Sequence, residues 1–145
     1  MKKKIPAFLA GLIVFAGCSG ARPDLGVQNG QLLPCPNSPN CVSSQAADEE
    51  HVIEPIYFTG TQQQAHARLV HILESEKRIK VLIAEKNYLR AEFTSAVFRF
   101  VDDVELYFPE GRGGETIIHI RSASRIGYSD LGVNRKRIER IRNKF

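Results

Sequence analysis

The chain has 145 residues, 43% of them hydrophobic and 25% charged, which leaves room for one domain of about 100 residues and no second enzyme domain. That balance excludes a disordered chain and a polytopic membrane protein. The formal net charge of +4 points to a polyanionic partner only until it is located: Lys2, Lys3 and Lys4 sit in the leader, and the remainder carries 17 basic and 16 acidic side chains, too even a balance for nucleic acid.

Three lysines are followed by an apolar run over residues 5–15. That run is too short to cross a hydrocarbon core about 30 Å thick as a permanent helix. The layout is that of a signal peptide over residues 1–17. Phe15-Ala16-Gly17-Cys18 resembles the lipobox of bacterial lipoproteins, with Phe15 where leucine is usual. The resemblance implies cleavage before Cys18, lipidation of its thiol and attachment to a membrane of the cell envelope through that anchor. Ser19 after the anchor favours, by resemblance to Gram-negative sorting, the periplasmic face of the outer membrane. Acyl chains contributing about 0.8 kcal/mol per buried methylene hold such a protein without a membrane-spanning helix.

Residues 19–33 are small, polar and punctuated by glycine and proline, and read as a flexible tether. The domain proper is expected over 34–145. With Cys18 lipidated, Cys35 and Cys41 remain as a pair in a turn-rich segment. Five intervening residues can bring the thiols within bridging distance, and an oxidising compartment would keep the disulfide. A metal site using both thiols with two of His51, His66, His71 and His119 lacks a second ligand pair at short spacing, so no metal and no other cofactor is expected.

Residues 51–58, with Val52, Ile53, Ile56 and Tyr57 interrupted by Pro55, predict a first strand at an edge or with a bulge. Over 61–76 the stripe Ala65, Leu69, Ile72 and Leu73 behind a Thr61 N-cap predicts a helix covering one sheet face. Residues 79–84 and 88–95 read as a hairpin turning at Lys86-Asn87. From 98 to 108 the even positions Phe98, Phe100, Asp102, Val104, Leu106 and Phe108 form a row expected to face the core, and Arg99, Asp103 and Glu105 are expected to look outward. Pairing Phe108 with Thr116 in the next strand sets Leu106 against Ile118, Val104 against Ile120, Asp103 against Arg121 and Glu105 against His119. That register satisfies apolar face and charges together. Asn134 is expected to N-cap a last helix, with Val133 and Ile138 as a hydrophobic staple. The predicted fold class is α+β: one small domain, a mainly antiparallel sheet covered by one long helix, plus a short C-terminal helix.

Candidate chemistry lies in two places. Asp102, facing the core opposite Ser122, needs a partner. Arg125 is the nearest strong candidate in sequence, and Asp102 either pins the 124–133 loop or serves a ligand or a reaction. The second place follows from charge: residues 112–145 carry 9 basic and 3 acidic side chains, against 8 and 13 over 19–111. Arg135, Lys136 and Arg137 fall in the first turn of the last helix, where the dipole favours anions. Either internal carboxylates such as Asp102, Asp103 and Asp130 neutralise them, or Arg121, Arg125, Arg135 and Arg137, with Ser124 and Asn134, form an anion site.

The segments LPCPNSPNCVSSQ (33–45), FRFVDDVE (98–105) and RSASRIGYSDLGVNRKRI (121–138) together resemble the domain-of-unknown-function 1499 (DUF1499) family. The resemblance implies a small exported or membrane-associated protein, supplies no reaction, and marks the stretch from Arg121 to Arg137 as the family's signature. The sequence shows no nucleophile elbow, zinc motif or phosphate loop. The expected function is a lipid-anchored, non-catalytic binding domain for an anionic partner, such as a phosphorylated lipid, a glycan or an acidic protein surface. The alternatives are a small envelope hydrolase or transferase using Asp102 or Asp130 with Ser124 or Ser129, and a structural module that docks onto another envelope protein.

Overall fold

The computed structural model describes residues 20–111 and 114–145; the expected signal peptide and Cys18 lie outside the described residues. The chain runs through β1 (Val27–Gln28), β2 (Gln31–Leu32), β3 (Cys41–Ser43), β4 (Ile56–Thr59), α1 (Gln62–Glu74), β5 (Ile79–Glu85), β6 (Tyr88–Thr94), β7 (Val101–Tyr107), β8 (Glu115–Ser124) and α2 (Val133–Lys144). The main sheet has the order β3-β8-β7-β6-β5, and β4 also pairs with β8. All these pairings are antiparallel. Strand β8 organises them: β4 pairs with its first half, through Ile56↔Ile118, and β3 with its second, through Cys41↔Ala123.

Helix α1 starts where its residues dictate. The Thr61 side chain accepts from the Gln64 N–H and the Gln64 side chain accepts from the Thr61 N–H, a reciprocal capping box. Ala65, Leu69 and Leu73 are fully buried from this helix, against Leu89, Val104, Leu106, Phe108 and Ile120 of the sheet. From α2, Ile138 and Ile141 join the same core, with Phe145 packed at its margin. At 13 residues α1 is close to the 12 of α2, so the long covering helix is corrected to two short helices sharing one face of a dominant sheet. Among the described residues no helix is long and apolar enough to cross a membrane.

Three expectations about β7 change. Phe98 and Phe100 belong to the β6–β7 turn and are exposed, because Arg99 at φ 59° and the Ser95 N–H bond to the Phe100 carbonyl, 2.8 Å, close the hairpin before the strand begins. The register with β8 is two residues from the expected one: Asp102 opposes Ser124, Val104 opposes Ser122 and Glu105 opposes Arg121. A slip of two keeps every side chain on its own face. From Asp102 to Phe108 the core-facing row therefore stands as read while the cross-strand partners differ.

The third change concerns the outward row. Asp103 and Glu105 are 1% and 0% exposed. Residues 20–33, expected as a flexible tether, cover this face: Arg22 pairs with Glu92 at 2.9 Å, the Pro23 carbonyl accepts from Arg90 at 2.9 Å, and the N–H of the buried Leu32 donates to Gln45.

Cys35 and Cys41 form a disulfide, with Cα atoms 5.7 Å apart. The bridged loop ends in Asn40, whose side chain donates to the Gly127 carbonyl at 2.6 Å and whose own carbonyl accepts from the Ser124 N–H and the Asn134 side chain. The staple thus positions the segment that meets α2. Replacing both cysteines with alanine is expected to lower unfolding stability by about 2 kcal/mol from loop entropy, read by urea denaturation; unchanged stability would show that Asn40 alone holds the loop.

Candidate functional site

Asp102 points to the core side of β7, and its partner is Arg137 of α2 rather than Arg125. The Arg137 guanidinium donates to the Asp102 carboxylate, to the Asn134 side-chain carbonyl and to Ser122 Oγ. Its Cζ lies 4.9 Å from the centroid of the Phe93 ring. Asn134, expected as the N-cap, is instead fully buried in the second position of α2, accepting from Ser122 and donating to Ser124 and to the Asn40 carbonyl, the latter two at 3.0 Å. Asp130 satisfies the helix start: its carboxylate accepts from the Gly132 N–H at 2.9 Å and the Asn134 N–H at 2.7 Å, with Gly132 at φ 75° turning the chain into the helix. This is the negative charge that the first-turn cations call for. Val133 is 45% exposed, so the expected staple is not built as a buried contact.

Beside this knot lies a cleft of about 430 Å³ between the C-terminal turn of α1, the length of α2 and the ends of β5 to β8. Asp102, Ser124 and Arg137 line its floor, and Ile72, Ile79, Phe93, Ile126 and Ile141 give it apolar walls. Three exposed cations, Lys77, Arg78 and Arg140, border it and pair with no carboxylate among the described residues. Lys144, also at the cleft, pairs with Glu76. The Arg137 Nε is buried without a hydrogen-bond partner among the described residues. Sequence reading missed the three bordering cations. Only Arg140 carried a signal, lying three residues from Arg137 on the same helix.

The structure does not gather the four expected arginines into one site. Arg121 alternates along β8 with Ser122 and so faces the opposite side of the sheet. There it bonds Glu105 at 3.1 Å, while Arg125 bonds both Asp103 and Glu92. Arg90 also binds Asp103, and the Tyr88 hydroxyl donates to Glu105 at 2.7 Å. Burial pushes the Glu105 carboxyl above its ordinary value, against the opposing hydrogen bond from Tyr88 and the charge of Arg121. Burial and then the Glu105 charge raise the Tyr88 phenol. The hydrogen bond to Asp103 holds Arg125 above its ordinary value. Arg135 lies elsewhere again, donating to the backbone carbonyls of Glu50 and Val52. What comes together is Asp102, Ser124, Asn134 and Arg137, with Asp130 at the helix entry.

The floor residues are committed to one another in a way that leaves no activated nucleophile. Ser122 donates to Asn134, Ser124 accepts from Asn134, and Asp102 is held by Arg137. Ser129 Oγ accepts the Leu131 N–H. The described residues do contain a serine–histidine contact, Ser44 to His119 at 3.2 Å, but on the far side of β8 and with no carboxylate orienting the ring. No group of three or more histidine, cysteine or acidic side chains able to hold a metal occurs among the described residues.

If the Asp102–Arg137 pair fixes α2 on the sheet, removing one charge strands the other in a buried site. Asp102→Asn is expected to cost about 3 to 5 kcal/mol of unfolding stability. Adding Arg137→Met should recover part of it, giving a coupling of about 0.5 to 3 kcal/mol in a double-mutant cycle. Strictly additive losses in urea denaturation would show that the two side chains do not act as a pair.

No curated protein matches the chain. Among solved structures it is similar to the crystal structure of TTHA0849 from Thermus thermophilus, at 12% identity and a TM-score of 0.31, over 72% of this chain and 88% of that one, too remote a likeness to carry an argument. A family model described as a protein of unknown function, DUF1499, matches residues 31–145, and the chain therefore belongs to the DUF1499 family.

Proposed function

We propose that this chain is a lipid-anchored envelope protein, held through Cys18 at the periplasmic face of the outer membrane, whose domain binds an anionic amphiphile without catalysing its reaction. The observation that carries the reading is the cleft itself. Its volume of about 430 Å³ falls within the range of small-molecule sites, and its apolar walls lie beside three cations lacking carboxylate partners among the described residues. An acyl or other apolar body would rest on Ile72, Ile79, Phe93 and Ile141, and its acidic group would meet Lys77, Arg78 and Arg140. The lipobox resemblance at Cys18 supports the anchor.

Hexyl phosphate is a suitable probe, because it carries both halves of the expected ligand and is short enough to stay monomeric. The full lipidated protein in nanodiscs should bind it with an affinity that falls as salt rises. Replacing Arg78 and Arg140 with glutamine should weaken binding about tenfold, from two contacts of roughly 0.7 kcal/mol each, and leave the melting temperature nearly unchanged because both side chains are exposed. Calorimetry showing the same affinity in the double variant, or no binding by the parent, would reject the cleft as an anion site.

A further inference from the structure

Two loops at one end of the sheet present large apolar side chains to solvent. Val97 and Phe98 on the β6–β7 turn are 79% and 69% exposed, and Tyr128 and Leu131 on the β8–α2 loop are 74% and 86% exposed. Single exposed apolar residues are ordinary, but a group of four on neighbouring loops marks a contact surface. The loops are neighbours because Asp102 pairs with Ser124 and the Arg125 N–H reaches the Val101 carbonyl. Both border the cleft, through Ser95 and Phe100 from the first and Ile126 and Asp130 from the second. Arg99 and Leu131 have φ of 59° and 54°, a conformation unfavourable for side chains of their size. Such strain clusters where function fixes a loop.

Gly20 also lies at this end. A Cβ built on Gly20 would lie 3.0 Å from the Ile126 side chain and 3.0 Å from Arg125 Cβ, so Gly20 rests on the β8–α2 loop. Cys18 precedes it by two residues, at most about 7 Å of chain. Acyl chains on Cys18 therefore place the bilayer beside these loops. The charge agrees: Arg99 sits on the first tip, and Lys77, Arg78 and Arg140 border the same cleft as Phe100 and Ile126. A cation on one tip and three bordering the adjacent cleft are complementary to an anionic leaflet.

We propose that the two loops form a membrane-docking face, with Val97, Phe98, Tyr128 and Leu131 entering the interface of an anionic bilayer and the cleft opening onto the leaflet that holds the anchor. The inference rests on the lipid anchor proposed above and is independent of what fills the cleft.

The sequence contains no tryptophan, so Tyr128→Trp and Phe98→Trp each provide a lone reporter. Tyr57→Trp is the control: Tyr57 is exposed on β4 opposite Ile117, and Ile117 lies about 23 Å along β8 from Ser124. The full lipidated protein is placed in vesicles of phosphatidylethanolamine and phosphatidylglycerol bearing brominated acyl chains. Emission from positions 128 and 98 should move to the blue and fall about twofold, as expected for rings about 5 to 10 Å into the interface, while position 57 is unaffected. Equal quenching at all three positions, or none at 98 and 128, overturns the proposal. A blue shift that grows with protein density and comes without quenching by the brominated chains would assign the loops to a second copy of this chain and also overturn it. The mass of the N-terminal peptide reports the lipid on Cys18 in the same samples. An unmodified Cys18 rejects the anchor and this orientation with it, whereas a lipidated chain with unquenched loops rejects docking alone. Hexyl phosphate titration of the same samples leaves the cleft reading separately testable.

Discussion

Asp102 and Arg137 meet on the core side of the sheet, and the placement of α2 depends on that contact. A carboxylate in the apolar row of β7 would be costly alone, and a guanidinium in the first turn of a helix works against the helix dipole. Each makes the other tolerable, and Ser122, Asn134 and Ser124 take up further donors and acceptors around them, leaving the Arg137 Nε as a buried donor without a partner among the described residues. Apolar residues of similar volume often stabilise such a site as well or better. The retained pair is therefore better understood as fixing where α2 sits, and so where the cleft between α2 and α1 opens, than as a source of stability.

The opposite face of the sheet solves a related problem differently. Three arginines of the sheet face, Arg90, Arg121 and Arg125, interlock with Glu92, Asp103 and Glu105, and the segment 20–33 shields them from water. This network consumes the basic residues that the sequence offered most readily as ligand groups. It also explains the charge asymmetry along the chain, since the acidic members come from β6 and β7 and two of the arginines from β8 and the residue after it. The two halves largely neutralise each other within one fold.

Much of the architecture was legible because its signals were local. The Thr61 cap, the Ala65-Leu69-Leu73 stripe and the alternation through Leu89, Ala91, Phe93, Val104 and Leu106 each specify an element and the face it buries. The errors had non-local causes. The β7–β8 register was chosen to satisfy the apolar face and the charge pairing together, yet a slip of two residues preserves the faces and offers Glu105 to Arg121 instead, with Arg125 then reaching Asp103. Asp103 and Glu105 looked exposed because alternation says which way a side chain points, not whether a glycine- and proline-punctuated strap lies across it. Asn134 looked like a cap because the sequence places an asparagine just before an apolar helical pattern, while Asp130, two residues before Gly132, does the capping. Of the candidate site, Asp102, Ser124, Asn134, Asp130 and Arg137 converge near the entry to α2. Arg121 was excluded by the parity of its position on β8, a signal present in the sequence and outweighed there by raw charge, and Arg125, the residue after that strand, by its pairing with Asp103 and Glu92.

Under the proposed function the cleft, with its apolar walls, cation border and paired, buried floor, is the amphiphile site, and the apolar loops beside it are the proposed docking face. The binding reading depends on Arg137 being fixed by Asp102 at the floor of that cleft. The most direct test is the nitrogen–hydrogen resonance of the Arg137 Nε group in the nanodisc-held protein. A slowly exchanging signal that moves when hexyl phosphate is added is the predicted result; rapid exchange with water in the free protein, or a resonance unmoved at saturating hexyl phosphate, would contradict it.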